Sequence, residues 1–229
     1  MFRSSLKTVL LTGILLTSCW LYGAAKIAVT TKVIGKVDVD QLANPGYKAL
    51  KAGMVLADGD RIRTGEKAYV SIIFIDDKSM LKIKEKTEVT VTGKRSARSI
   101  AKQVNIDSGT LRAQVSKQRK GDFIVQSSTS VASVKGTDFW FLSDPLTGDQ
   151  VIGLEGLVGL TNLISGESVT VGQGFTGMST LDGGIELNET DPNTIPEDPG
   201  EAGEKTSTIL RIELENPDGE HKTLLIEIQ

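Results

Sequence analysis

Beyond residue 33 the apolar residues of this chain recur at every second position in short runs, and turn residues separate the runs. In "AYVSIIFIDDKSMLKIKEKTEVTVTG", Val70, Ile72 and Phe74 share one face, Leu81 and Ile83 another, Val89 and Val91 a third, and "IDDKS" is the turn between the first two. A period of two is the repeat of a strand with one buried face. After the first 25 residues no stretch of 12 or more places apolar residues at helical spacing. The pattern continues through "KVIGKVDVD", "DFIVQSS", "VASVKGTDFWFL" and "ESVTVGQG". "QVNIDSGTLRAQV" reads as a hairpin with Ser108-Gly109 at its tip, and the glycines of "VIGLEGLVGL" leave room for a neighbouring backbone. Many short strands at roughly ten-residue spacing predict an all-β domain: a β-sandwich, a jelly roll or a solenoid-like β-fold.

The segments at the two ends differ from this pattern. "MFRSSLK" followed by "TVLLTGILLTSCWLY" and the small residues Gly23 to Ala25 reads as a signal peptide over residues 1–25, with a retained membrane anchor as the alternative. Cys19, the single cysteine, closes "LTSC", which resembles a bacterial lipobox; lipidation there competes with simple secretion. The expected location is therefore outside the cytoplasm, periplasmic or as a membrane-anchored lipoprotein. The β-domain is expected over residues 26–185. Residues 186–204 carry seven carboxylates, three prolines and no Lys or Arg, a composition expected of a solvated linker. Residues 205–229 read as a β-hairpin around "NPDG", which an isolated position in water would leave marginal, so docking on the main domain or on a partner is expected.

Charge is unevenly distributed. Between Lys26 and Lys135 there are 21 Lys and Arg against 11 Asp and Glu; from Gly136 onward there are 3 against 18. Sequence halves are rarely spatial halves in a β-fold, so pairing of basic strands with acidic ones is expected. The alternative is two faces of opposite potential, suited to self-association or to an anionic partner. The basic stretch around Lys82, Lys84, Lys86, Lys94, Arg95, Arg98 and Lys102 suits an envelope protein or an anionic glycan or lipid surface, and an exported chain is not expected to meet nucleic acid. Because Lys82, Lys84 and Lys86 alternate with Leu81 and Ile83, a solvated strand face is the simpler reading.

Motifs with catalytic overtones dissolve when the spacing is considered. Lys135-Gly136-Thr137 lacks the second glycine of a phosphate loop, and the following "DFWFL" is strand-like rather than helical. Ser79 and Lys82 have the Ser-x-x-Lys spacing, but on a strand positions i and i+3 point to opposite faces. Asp76-Asp77 and Glu197-Asp198 are adjacent pairs, expected as turn and solvation residues rather than convergent acid–base partners. His221 is the sole histidine and sits beside a turn. No metal, cofactor or catalytic set is expected, and the chain reads as non-enzymatic.

Taken together, "LKAGMVLADGDRIRTGEKAYVSIIFIDDKSMLKIKEKTEV", "VNIDSGTLRAQV", "FIVQSSTSVASVKGTDFWF", and "GLEGLVGLTN" with "VTVGQG" resemble the FecR-like domain family, in that order and over about Ile34 to Met178. The resemblance implies structural roles for Gly59, Thr64 and Gly65 in the first motif and for Gly136, Thr137 and Phe139 in the most recognisable one. Gly136 is expected to admit a crowded backbone between two strands, Thr137 to bond the local backbone, and Phe139 and Phe141 to face opposite to Trp140. Founding members of the family are membrane regulators that relay ferric-citrate-type signals to a sigma factor. Only about seven residues precede the apolar run here, so no anti-sigma segment is expected. The resemblance implies an extracytoplasmic binding or scaffolding task, with a signal-sensing subunit of iron-uptake-type transduction as the alternative.

Overall fold

The computed structural model describes residues 24–96, 99–118, 121–200, 208–215 and 221–228. The expected leader, Cys19 and the expected turn at "NPDG" lie outside the described residues. Apart from one 3-10 turn at Pro192–Thr194, every element is a strand. The front sheet runs β4 (Val55–Ala57), β1 (Lys26–Ile34), β6 (Tyr69–Phe74), β7 (Met80–Ile83), the second half of β9 (Ile100–Val115), β12 (Thr137–Asp144), β13 (Gly148–Glu155), β16 (Phe175–Ser179), β17 (Ile185–Glu189). The back sheet runs β3 (Asn44–Ala49), β2 (Val37–Gln41), β5 (Asp60–Thr64), β8 (Glu88–Arg95), the first half of β9, β10 (Phe123–Gln126), β11 (Ser130–Val134), β14 (Val158–Asn162), β15 (Ser168–Val171). The chain lays one or two strands in one sheet, crosses, lays one or two in the other, and so advances along both. The result is a sandwich with solenoid-like progression.

One apolar core fills the space between the sheets. In the front sheet Ile72, Leu81, Ala113 and Phe139 lie directly opposite one another on four successive strands, all buried. Phe74 of the front sheet meets Phe123 of the back sheet edge to face, 5.5 Å between centroids.

β9 is one continuous strand of 16 residues, not the expected hairpin. Its first half pairs with β8 in the back sheet and its second half with β7 and β12 in the front sheet. Ser108-Gly109 is the bend between them. Gly109 has φ +111, and a Cβ there would collide with Thr87. Buried positions are even-numbered up to Ile106 and odd-numbered from Leu111, so the bend also inserts one residue to keep the apolar set inward.

The acidic segment also departs from the linker expectation. Ile185–Glu189 pairs with β16 as the edge strand β17. Residues 190–200 then turn back over the front sheet and end against β1, where Lys32 donates to the Gly200 carbonyl at 3.2 Å. The C-terminal β18 (Thr208–Glu215) and β19 (His221–Ile228) pair as the expected hairpin, with Ile226 buried and Ile212 half-buried against the same apolar cluster.

Candidate binding surfaces

The Lys135–Gly136–Thr137 stretch is a corner. β11 ends at Val134 in the back sheet, and β12 starts at Thr137 in the front sheet. Gly136 crosses with φ +157, and a Cβ there would lie 3.3 Å from the Lys117 Cα. Phe139 and Phe141 enter the core, while Trp140 is equally buried on the opposite face. Thr137 differs from expectation: its Oγ1 is buried and meets no hydrogen-bond partner among the described residues. The close approach of Gly156, whose hypothetical Cβ would stand 2.8 Å from the Thr137 Cγ2, fixes its side chain by packing instead. The glycines of the next segment do what the sequence implied, since a Cβ on Gly153 would collide with the Gly172 carbonyl. The other motif residues form a matching corner. Gly59 turns β4 into β5 with φ +85. Thr64 Oγ1 donates to the Lys84 carbonyl at 2.5 Å and accepts from the Thr87 N–H at 2.9 Å. Gly65 donates its N–H to the Lys36 carbonyl at 2.9 Å.

Beside the Gly136 corner opens a groove of about 750 Å³. Lys78, Lys117 and Lys135 line it together with Met80, Gln114 and Leu157, and Leu157 is 66% exposed. Lys135 reaches Asp122 only at 3.8 Å, and Lys78 and Lys117 have no ion-pair partner among the described residues. Glu155 and Asp138 also line it, and Asp138 is already occupied by Arg112 and Gln114. The groove therefore offers ammonium groups around an exposed leucine.

A second surface lies on the outer face of the front sheet. Lys32, Ser71, Lys82, Arg112, Trp140, Ile152, Thr176 and Asn188 stand directly opposite one another on eight adjacent strands, one continuous row. Residues 190–200 follow this row as a strap. Thr190 is held to Thr176 at 2.8 Å between hydroxyls, and its N–H reaches the Gly174 carbonyl. Asp198 Oδ2 accepts from Lys82 Nζ at 2.6 Å and from an Arg112 nitrogen at 3.0 Å. From Thr176 to Lys82 is four strand spacings, about 19 Å, which eight extended residues cover with slack. Residues 191–197 thus cross above Ile152 and Trp140, both fully buried yet outside the core cluster. The solvated-face expectation fails here: Lys82 is buried and Lys84 half-buried, its Nζ 5.7 Å from the Trp140 ring centroid, while Lys86 is exposed.

Burial pushes the Asp198 carboxyl up, but the Lys82 hydrogen bond, the Gly200 N–H and the nearby Arg112 outweigh it, and the pKa falls below the ordinary carboxylate value. Arg112 is held by its other edge, which meets both Asp138 oxygens at 2.8 Å in a bidentate pair. That pair turns the remaining nitrogen toward the strap. No sequence pattern links Asp198 to Lys82, 116 residues away; the one signal was the lack of bases near so many carboxylates.

Two further polar clusters are internal. Lys102, buried in the back sheet, lies 2.8 Å from both Asp76 and Asp77, so those carboxylates clamp a buried ammonium rather than solvate a turn. Asp77 feels burial first, yet Lys102, the Ser79 N–H and Gln118 lower its pKa overall. Asp149 accepts from the hydroxyls of Ser127 and Ser130 at the end of the sandwich. Ser79 is committed to the Ser116 N–H and Lys82 to Asp198, so the Ser-x-x-Lys pair does not meet. Among the described residues no group of three or more His, Cys, Asp or Glu side chains is placed to hold a metal. The side chain of His221 is outside the described set.

The sequence profile of the family described as FecR protein matches residues 60–158. The chain carries a FecR-like domain. The match begins at the first residue of β5 and ends at the start of β14, so it takes in the clamp on Lys102, the whole of β9 and the Gly136 corner. The two-sheet pattern of the chain continues beyond both ends of the match. Two crystal structures described as "a putative anti-sigma factor from Parabacteroides distasonis" are similar at 14% identity, with TM-scores of 0.48 and 0.47; each similarity covers 57% of this chain and 60% of that one. No curated protein matches the chain.

Proposed function

We propose that the chain is an exported, non-enzymatic binding or scaffolding module of the cell envelope, and that its FecR-like domain engages an acidic segment of an envelope protein. The observation that carries this reading is the groove beside the Gly136 corner, where Lys78, Lys117 and Lys135 surround exposed Leu157. Among the described residues Lys78 and Lys117 have no ion-pair partner and Lys135 meets only Asp122, at 3.8 Å; such ammonium groups favour carboxylates at close range, and the leucine supplies apolar area for an anchoring residue. The lipobox-like "LTSC" supports a membrane tether through an acylated Cys19, which would keep the module at a surface. Intact mass of the exported protein tests the tether: a mature chain starting at Cys19 with acyl mass is expected, and one starting at Lys26 without it removes the lipid anchor.

The groove is tested by placing a photocrosslinking residue at Leu157 in the exported chain. Adducts with an envelope protein are expected, and they should vanish in a Lys78→Glu, Lys117→Glu, Lys135→Glu variant that melts like the parent. Adducts that persist in that variant overturn the groove reading. Binding to phosphatidylglycerol vesicles in place of protein adducts would assign the lysines to lipid. The family match favours a second reading, a signal-sensing subunit. In that case the adduct is a membrane regulator or transport protein, and deleting the chain changes transcription from the regulator's target promoters.

A further inference from the structure

The strap is an acidic segment seated on a row that carries Lys32, Lys82 and Arg112, and the way it is seated has a consequence beyond covering the sheet. Among the described residues, no backbone ladder joins residues 191–200 to the front sheet; the only backbone–backbone bond within that stretch is the local Thr194 N–H to the Asp191 carbonyl. The attachment runs through sheet side chains: the Thr176 hydroxyl, Lys82 and Arg112 on Asp198, and Lys32 on the Gly200 carbonyl. The receiving groups belong to the sheet and are held independently of the strap, Arg112 by its bidentate bond to Asp138 and Trp140 by its place within β12. The Asp198 side chain is only 5% exposed between Lys82 and Arg112, at 9% and 14%, so the pocket is formed and desolvated rather than a superficial charge match. Prolines at 192, 196 and 199 remove three ladder donors from the segment, which begins with the 3-10 turn at Pro192–Thr194.

We infer that the outer face of the front sheet is a receptor site for an acidic, proline-bearing segment of a partner protein, and that residues 190–200 occupy it in cis. The site adjoins the groove at Asp138, which lines the groove and holds Arg112, but it does not depend on that reading. Recognition requires one carboxylate between Lys82 and Arg112, a backbone carbonyl at Lys32, and a chain passing over Trp140 and Ile152. The cis segment competes at the high effective concentration of a tethered ligand, so an incoming segment binds only where it outcompetes the strap or the strap is weakened.

The test uses the full-length chain and a fluorescent peptide copying residues 186–200. Asp198→Asn keeps the shape of the strap and removes its charge. A second variant replaces residues 191–199 with nine Gly and Ser residues. Saturable binding is expected to both variants at least tenfold more tightly than to the parent, and it should be lost for a peptide carrying Asn in place of Asp198. Adding Arg112→Gln should abolish it. Should the Gly-Ser variant misfold, the Asp198→Asn comparison still decides. Equal binding by parent and Asp198→Asn, or equal binding of a scrambled peptide of the same composition, overturns the inference. A parent chain that sediments as a strap-exchanged dimer assigns the site to self-assembly and overturns the partner reading as well.

Discussion

At single residues, the features that resemble chemistry are solutions to packing. Gly136 lets the chain cross the sandwich with φ +157 and with Lys117 close alongside. Gly136→Val puts a β-branched residue where it cannot adopt that conformation and should cost roughly 1–3 kcal/mol; chemical denaturation measures it. Lys102 is the opposite case, a buried charge that cannot be given up cheaply. Lys102→Met leaves Asp76 and Asp77 facing each other without their cation, and removing one partner of a buried ion pair costs about 3–5 kcal/mol. Adding Asp76→Asn and Asp77→Asn to Lys102→Met should recover part of the loss, which a double-mutant comparison of melting free energies reads directly.

At the level of elements, alternation made most strands legible. Val70, Ile72 and Phe74, Leu81 and Ile83, and Val89 and Val91 lie on β6, β7 and β8 as their spacing implies. β9 was not legible, because a glycine at positive φ serves a hairpin tip and a bulged bend equally well. Only the facing sheets decide between them, and they are assembled from residues far away in sequence. The strap was misread for a related reason. Prolines and carboxylates exclude a central strand, but composition says nothing of the cations that Asp198 will meet. Because Asp198 has a lowered pKa in the folded chain, its contribution is present above the ordinary carboxylate value near 3.9 and is lost as pH falls through the folded value. In a Trp20→Phe chain, where Trp140 is the sole tryptophan, emission should stay blue from neutral pH down to the ordinary carboxylate value near 3.9 and shift red only below it, as the strap lifts. Asp198→Asn should remove that step. A parent spectrum that does not change until the whole domain unfolds would show that Asp198 does not hold the strap.

Across the whole molecule, the uneven charge of the sequence is partly reconciled in space. Asp138 and Asp198 of the acidic half meet Arg112 and Lys82 of the basic half, while Asp76 and Asp77 with Lys102, and Glu66 with Lys86, pair within the basic half itself. Both sheets share β9, so neither can lose its strands without loosening the other. Gly109→Val, which drives a side chain into Thr87 at the bend, should therefore lower the stability of both sheets together in one transition. Hydrogen exchange that separated front-sheet amides from back-sheet amides in this variant would count against the coupling.

The strap is also the last part of the sandwich to be made. Trp140 is synthesised 58 residues before Asp198, an interval of about 3–12 s at roughly 5–20 residues per second. Throughout that interval the nascent chain already holds Lys32, Lys82 and Arg112, the last with its Asp138 partner, but lacks Asp198, the carboxylate that the strap brings. A front sheet that formed in that interval would present Lys82 and Trp140 uncovered, to a chaperone's or a partner's acidic segment, before the chain's own strap arrived.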